Sequence, residues 1–301
     1  MITGFAIILD EKILYVSNDN KYAFFEIVLF IEKLIKSINP KNYWRLKNIF
    51  FENDKGKERM IIKHLVTENN ENLFYCITGD FISGSEEADR MLEEYIEKIN
   101  ANYPNAEAIG KASGKSEFYK IIKLITAYLW NKYRDPIADE ELNYNCFSNN
   151  NKILYCGIST QGLPIISKLY DDSLLHDLKQ EASKENIDIF TSNLSARLAT
   201  ITMNTQIRAK SYIKEIHFDD LGEEGCMKLI LYGKINNFSL DLIASGDFFK
   251  IKDIFSQLES KISQEEVLLN EFDGDLKPYR ALSQKLTCIL QELKETYLEK
   301  A

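Results

Sequence analysis

The segment Gly110-Lys111-Ala112-Ser113-Gly114-Lys115-Ser116 carries the residue types of a phosphate-binding loop. In such a loop the glycines bare backbone N–H groups and the lysine reaches the phosphates. The spacing here is one residue short of G-x-x-x-x-G-K-[ST]. The segment also follows a polar stretch, whereas a phosphate loop takes its geometry from a buried strand. It reads as a flexible connection in which Ser116 caps the next helix. A weak anion site at that helix N-terminus is the one chemistry it leaves open, and nucleotide hydrolysis is not expected.

Other reactive side chains are scattered. His64, His176 and His217 are isolated from one another, and no run of His, Cys or carboxylates has metal-ligand spacing, so no metal is expected. Glu86, Glu87, Asp89, Glu93, Glu94 and Glu97 fall on one helix with Arg90 and Lys98 between them, which reads as a solvated face. Nothing points to a Ser-His-Asp or Cys-His arrangement. The sequence supports no enzyme, no catalytic residue and no cofactor.

Composition narrows the function classes further. Apolar residues make up 45% and charged residues 28% of 301, values typical of globular chains and long enough for two domains. Only 13 Gly and 5 Pro argue against long flexible linkers. A net charge of −9 disfavours nucleic acid, which needs a concentrated basic surface. The opening MITGFAIILDEKILYV has neither a basic start nor a cleavage site, so no signal peptide is expected. Five dispersed cysteines (Cys76, Cys146, Cys156, Cys226, Cys288) without a CxxC pair suit free thiols. A cytoplasmic protein, peripheral to membranes at most, is the expectation.

Periodicity gives the elements that must position any site. Strands are expected at Ile2 to Leu9 and Ile13 to Ser17, then a helix from Lys21 to Ile38. Phe24, Ile27, Val28, Ile31, Leu34, Ile35 and Ile38 share one face of that helix, and Asn39-Pro40 stops it. Three strands follow, at Tyr43 to Phe51, Arg59 to Thr67 and Asn72 to Thr78. Helices at Ser85 to Ile99 and Ser116 to Tyr133 flank a polar stretch, Asn100 to Lys115. After a polar linker at 135–151 the order recurs. Strands are expected at Lys152 to Ile158, Leu163 to Leu169, Ala209 to Phe218, Met227 to Ile235 and Phe238 to Ala244. A long helical region between Ser173 and Ile207 separates the second and third of these, and helices at Asp247 to Ile262 and Leu276 to Leu298 close the chain.

One local match supports a duplication: Thr78-Gly79-Asp80-Phe81 and Ser245-Gly246-Asp247-Phe248 both join the fifth strand of a half to its helix. Glycine turns the chain and aspartate can cap the helix. The two junctions lie farther apart than the two first strands, so the second half carries extra residues ahead of its third strand, at Tyr170 to Asn186.

Hairpin, helix, three-stranded meander and closing helices resemble the longin/roadblock group of domains. Phe5-Ala6-Ile7-Ile8-Leu9 followed by Ile13-Leu14-Tyr15-Val16 looks like the longin opening hairpin, and the second half could be nearer roadblock. Profilin- and PAS-like sensors share this layout. The resemblance implies an α+β fold of two consecutive longin/roadblock-like (profilin-like layered) domains, 1–134 and 152–301. Each would be a five-stranded antiparallel sheet flanked by helices. It also implies pairing through sheet edges, so that a tandem could supply its own partner.

Two surfaces stand out as partner-binding candidates. Tyr22, Phe25 and Leu29 recur at helical spacing away from the core stripe of the first helix. Another part of the same chain or an external partner would cover them. Ser192, Ala196, Ala199 and Met203 form a small-residue strip opposite Phe190, Leu194, Leu198 and Ile201. It reads equally as a contact face or as an exposed helix side. By resemblance, the expected function is a non-enzymatic module that binds or regulates a small GTPase in a trafficking or signalling complex, its partner a small GTPase or another longin/roadblock-type subunit, with a homo- or hetero-dimer open. The alternative is a small-molecule sensor tandem.

Overall fold

A computed structural model describes residues 1–38, 43–54, 56–80, 86–134, 151–175, 184–222 and 227–297. The hairpin Ile2–Leu9 (β1) and Lys12–Val16 (β2) leads into helix Tyr22–Ile38 (α1). Strands Trp44–Asn53 (β3), Gly56–Val66 (β4) and Asn72–Gly79 (β5) precede helices Glu86–Asn100 (α2), Ala106–Ala112 (α3) and Ser116–Lys132 (α4). The second half repeats the plan: Lys152–Thr160 (β6), Leu163–Leu169 (β7), Lys184–Ala209 (α5), Tyr212–Asp220 (β8), Met227–Ile235 (β9), Phe238–Ser245 (β10), Phe248–Ile262 (α6) and Lys277–Tyr297 (α7). No helix among the described residues is long and apolar enough to cross a membrane.

The expectation of two separate five-stranded sheets is corrected. The ten strands form one sheet, ordered β2-β1-β5-β4-β3-β8-β9-β10-β6-β7. Read inward from either edge, five strands of each half follow the same plan, 2-1-5-4-3 and 7-6-10-9-8. The strands that would have been free inner edges, β3 and β8, lie side by side. Hydrophobic patterning reports which face of a strand is buried, not which neighbour pairs with its edge, so only the family resemblance pointed to edge pairing. The pairings β2–β1, β1–β5, β5–β4, β4–β3, β9–β10, β10–β6 and β6–β7 are antiparallel. Gln161 and Gly162, both at positive φ, close the β6–β7 hairpin in the way a two-residue turn requires.

The described residues cluster into two compact units. One holds β1 to β5, α2 to α4, the start of α1, the end of α5 and the first part of β8. The other holds β6, β7, β9, β10, α6, α7, most of α5, the end of α1 and the last part of β8. Of the expected linker at 135–151, only Asn151 lies within the described residues.

In the first unit, Phe5, Ile7, Tyr75 and Ile77 of the sheet pack with Met91, Tyr95, Phe118 and Ile122 from α2 and α4. All seven stripe residues of α1 are buried. Phe24 meets Phe51 edge-on at 5.0 Å between ring centres. The polar stretch from Asn100 to Lys115 contains a helix the sequence did not announce: Asn105 caps α3 by accepting from the Ala108 N–H at 2.8 Å. Seven residues are too few for a periodic signal, so only the cap and its alanines could have revealed it.

In the second unit, successive residues of β9 face opposite ways. A Cβ built on Gly233 would meet Glu259 and Phe255 of α6, while Tyr232, directly opposite Asp241, faces the other side. Asp241 is also directly opposite Gly157 on β6, and Tyr155, two residues along, shares its face. The Ser195 hydroxyl of α5 faces Tyr155 without bonding it. One face of this half-sheet therefore carries α6 and the other α5. Asp247 caps α6, accepting from the Lys250 N–H at 3.0 Å, and Gly246 turns the chain at φ +126°.

Candidate functional site

The sequence-derived surface candidates separate on folding. Tyr22 is exposed and Leu29 half-buried, but Phe25 is fully buried, its ring against Gly4. On α5, Ser192 is exposed, Ala196 and Met203 are half-buried, and Ala199 is buried. Met203 sits over the β6–β7 turn, where a Cβ on Gly162 would lie 3.0 Å from its sulfur. What remains accessible is Tyr22 and Leu29 on α1, and Ser192, Ala196 and Met203 on α5. Within the first unit Arg208 joins the two helices, pairing with Glu26 at 2.8 Å and lying 5.8 Å from the Phe30 ring centre.

The Gly114-Lys115-Ser116 segment does not build a phosphate cradle. Lys115, not Ser116, occupies the cap position of α4, with no side-chain cap hydrogen bond. Ser116 is already helical, so its hydroxyl no longer has the extended backbone a cap needs. Lys115 lines a cavity of about 240 Å³ with Asn102, Tyr103, Glu117 and Phe118. Glu117 there is the wrong charge for an anion.

Two histidines have structural surroundings. His64 accepts from the Leu46 N–H at 3.1 Å through Nδ1, and its Nε2 bonds Asn72 Oδ1 at 2.8 Å. His217 is buried with its ring 5.0 Å from Phe248. His176 lies outside the described residues, as do Cys146, Cys226 and Phe81. No three metal-ligating side chains come together among the described residues. The buried Lys228 ammonium donates to Ser245 Oγ at 2.9 Å, a pairing that can activate a nucleophile when the lysine is neutral. Asp220, 3.2 Å from the same nitrogen, keeps the charge paired.

The arrangement that sequence reasoning missed lies on the α5 face of the second half-sheet. Asp241, Tyr155, Tyr232 and Ser195 are all buried there. Ser239 donates to Asp241 Oδ1 at 2.9 Å. Asp241 Oδ2, the Tyr155 and Tyr232 hydroxyls and Ser195 Oγ have no hydrogen-bond partner among the described residues. Burial pushes the Asp241 carboxyl up to about 7, and the Ser239 hydrogen bond only partly opposes it. Burial likewise raises Tyr155 and Tyr232, and the nearby Asp241 charge adds to both. Four unsatisfied buried oxygens in one cluster are a large cost for a core to carry.

The fold itself does not require that cost. Aligning Gly79-Asp80 with Gly246-Asp247 sets Phe74 at the position of Asp241. Phe74 is flanked by Ile8 and His64 where Asp241 is flanked by Gly157 and Tyr232. The first half fills this spot with an aromatic ring 4.2 Å from a fully bonded histidine. The only sequence signal was the lone acid in the apolar run Phe238 to Ala244, where alternation alone would put it on a face. The chain matches no known family model, and no curated protein matches it in sequence.

Proposed function

We propose that this protein is a non-enzymatic interaction module that binds or regulates a small GTPase in a trafficking or signalling complex, as an exchange-factor platform or scaffold. The observation that carries this reading is the strand order. Each half supplies five strands in the same sequence, and β3 lies beside β8. Longin and roadblock domains, which each half resembles, commonly pair by extending one sheet into the next, and such pairs serve as platforms. The accessible residues Tyr22 and Leu29 of α1 offer one candidate surface, and Ser192, Ala196 and Met203 of α5 offer another. The partner is a small GTPase or a further longin/roadblock-type subunit, and the protein works in the cytoplasm, meeting membranes only through its partners.

The test is capture of small GTPases from the same source, in GDP-bound, GTP-bound and nucleotide-free states, followed by nucleotide release. Binding that Tyr22→Ala and Ala196→Arg abolish supports the reading. No binding in any state sinks the GTPase version. A second reading, a small-molecule sensor of profilin- or PAS-like type, draws support from the unsatisfied oxygens around Asp241. Native mass spectrometry that finds a stoichiometric metabolite on the purified chain would favour it.

A further inference from the structure

We propose that Asp241 makes the packing of α5 on its half-sheet proton-dependent: the neutral carboxyl closes the cluster and the ionised carboxylate loosens it.

The geometry carries it. Asp241 is in the middle of its half-sheet, with β9 on one side and β6 on the other. It is fully buried, with one carboxyl oxygen bonded by Ser239 and the other without a partner among the described residues. The ionisable groups that feel its charge are Tyr155 and Cys156 from β6 and Tyr232 from β9, all of them neutral at ordinary pH. α5 presents the Ser195 hydroxyl and β7 presents Ser167, both toward Tyr155. None of these neighbours is a cation. A carboxylate formed here would be a buried charge supported by one hydroxyl, which is strongly disfavoured. A neutral carboxyl avoids that charge and gains an O–H donor for its phenol and hydroxyl neighbours.

Relief for an ionised Asp241 requires water, and α5 is the cover over this face. Ser195, Leu194 and Leu198 of α5 are all buried. Loosening the helix over Ser195 admits water to the carboxylate and to the three orphaned hydroxyls together. The first half lacks the device, because Phe74 stands where Asp241 does.

The sign follows from linkage. The folded carboxyl binds its proton more tightly than the unfolded one, so its stabilising contribution is full below the ordinary carboxyl value of 3.8 and is lost as pH rises to about 7. The experiment is urea unfolding of the full chain from pH 4 to 9, beside Asp241→Asn. Amide exchange over Thr191 to Thr202 is read in parallel and corrected for the intrinsic pH dependence. The wild-type unfolding constant should grow relative to Asp241→Asn by up to about tenfold per pH unit between roughly 4 and 7, then level off. Exchange in α5 should accelerate over the same interval in the wild type alone. Parallel behaviour of the two proteins, or α5 protection that ignores pH, overturns the proposal. If Asp241→Asn does not fold, carboxyl ¹³C titration of the wild type decides: a midpoint near 4 overturns it, and one near neutrality with accelerating α5 exchange supports it.

Discussion

The Tyr155 phenol lies over Gly157, two residues further along the same face of β6. A Cβ built on Gly157 would fall 2.8 Å from the tyrosine ring carbon Cζ and 2.9 Å from the Ile166 carbonyl oxygen. The glycine is there to make room for the ring. Gly157→Ala should therefore destabilise the chain by about 1–3 kcal/mol, the usual cost of overpacking a close-packed site. Urea unfolding at pH 6 checks it, and stability equal to wild type would mean the phenol moves aside freely.

Glu94 ties α2 to α4. It accepts from Lys132 at 2.6 Å, Tyr133 at 2.8 Å and Tyr128 at 3.2 Å. Burial alone would raise its carboxyl, but these hydrogen bonds outweigh burial and hold it below the ordinary range. A lowered carboxyl stabilises above its unfolded value, and that contribution disappears as pH falls through the folded one. Glu94→Gln should cost about 1–2 kcal/mol at pH 7, and thermal unfolding should show the gap to wild type closing in acid.

Lys115 caps α4 badly. It has the extended backbone of a cap residue but no side-chain acceptor for the first-turn N–H groups, and its positive charge sits at the positive end of the helix. Lys115→Asn should stabilise the protein by about 1 kcal/mol, whereas Lys115→Ala should leave stability within a few tenths of wild type. Equal thermal midpoints for Lys115→Asn and Lys115→Ala would count against the cap argument.

Thiol reactivity should divide by position. Burial raises the thiols of Cys76 and Cys156 well above their usual value, which leaves little thiolate at neutral pH. Cys288 on α7 is exposed. Brief alkylation of the native chain, mapped by mass spectrometry, should modify Cys288 and spare Cys76 and Cys156 until denaturant is added. Early labelling of Cys156 would show that the second half-sheet opens readily.

Periodic burial was the part of the fold easiest to read in the sequence. The α1 stripe and the strands around Phe5, Tyr75, Leu231 and Leu242 stood out because each must hide apolar area on a fixed period. Phe25 did not. Helical indexing sets it off the main stripe, yet its ring fills the space beside Gly4, which only the folded chain defines. The site was less legible than the fold. Asp241 is a single acid in an apolar strand, and its meaning depends on Tyr155, Tyr232 and Ser195 arriving from three other elements. The second-half insertion was placed at Tyr170 to Asn186, and residues 176–183 of it fall outside the described residues.

The neighbouring positions of β3 and β8 also bear on how the chain behaves in a crowded solution. Two separate five-stranded sheets would expose four strand edges; one ten-stranded sheet leaves two, β2 and β7. Both are poor templates for a foreign strand. β2 is only five residues long, and β7 carries Pro164, which lacks the N–H a new neighbour would need. With its inner edges joined, the chain offers a foreign strand few open positions, and at high concentration it should remain discrete.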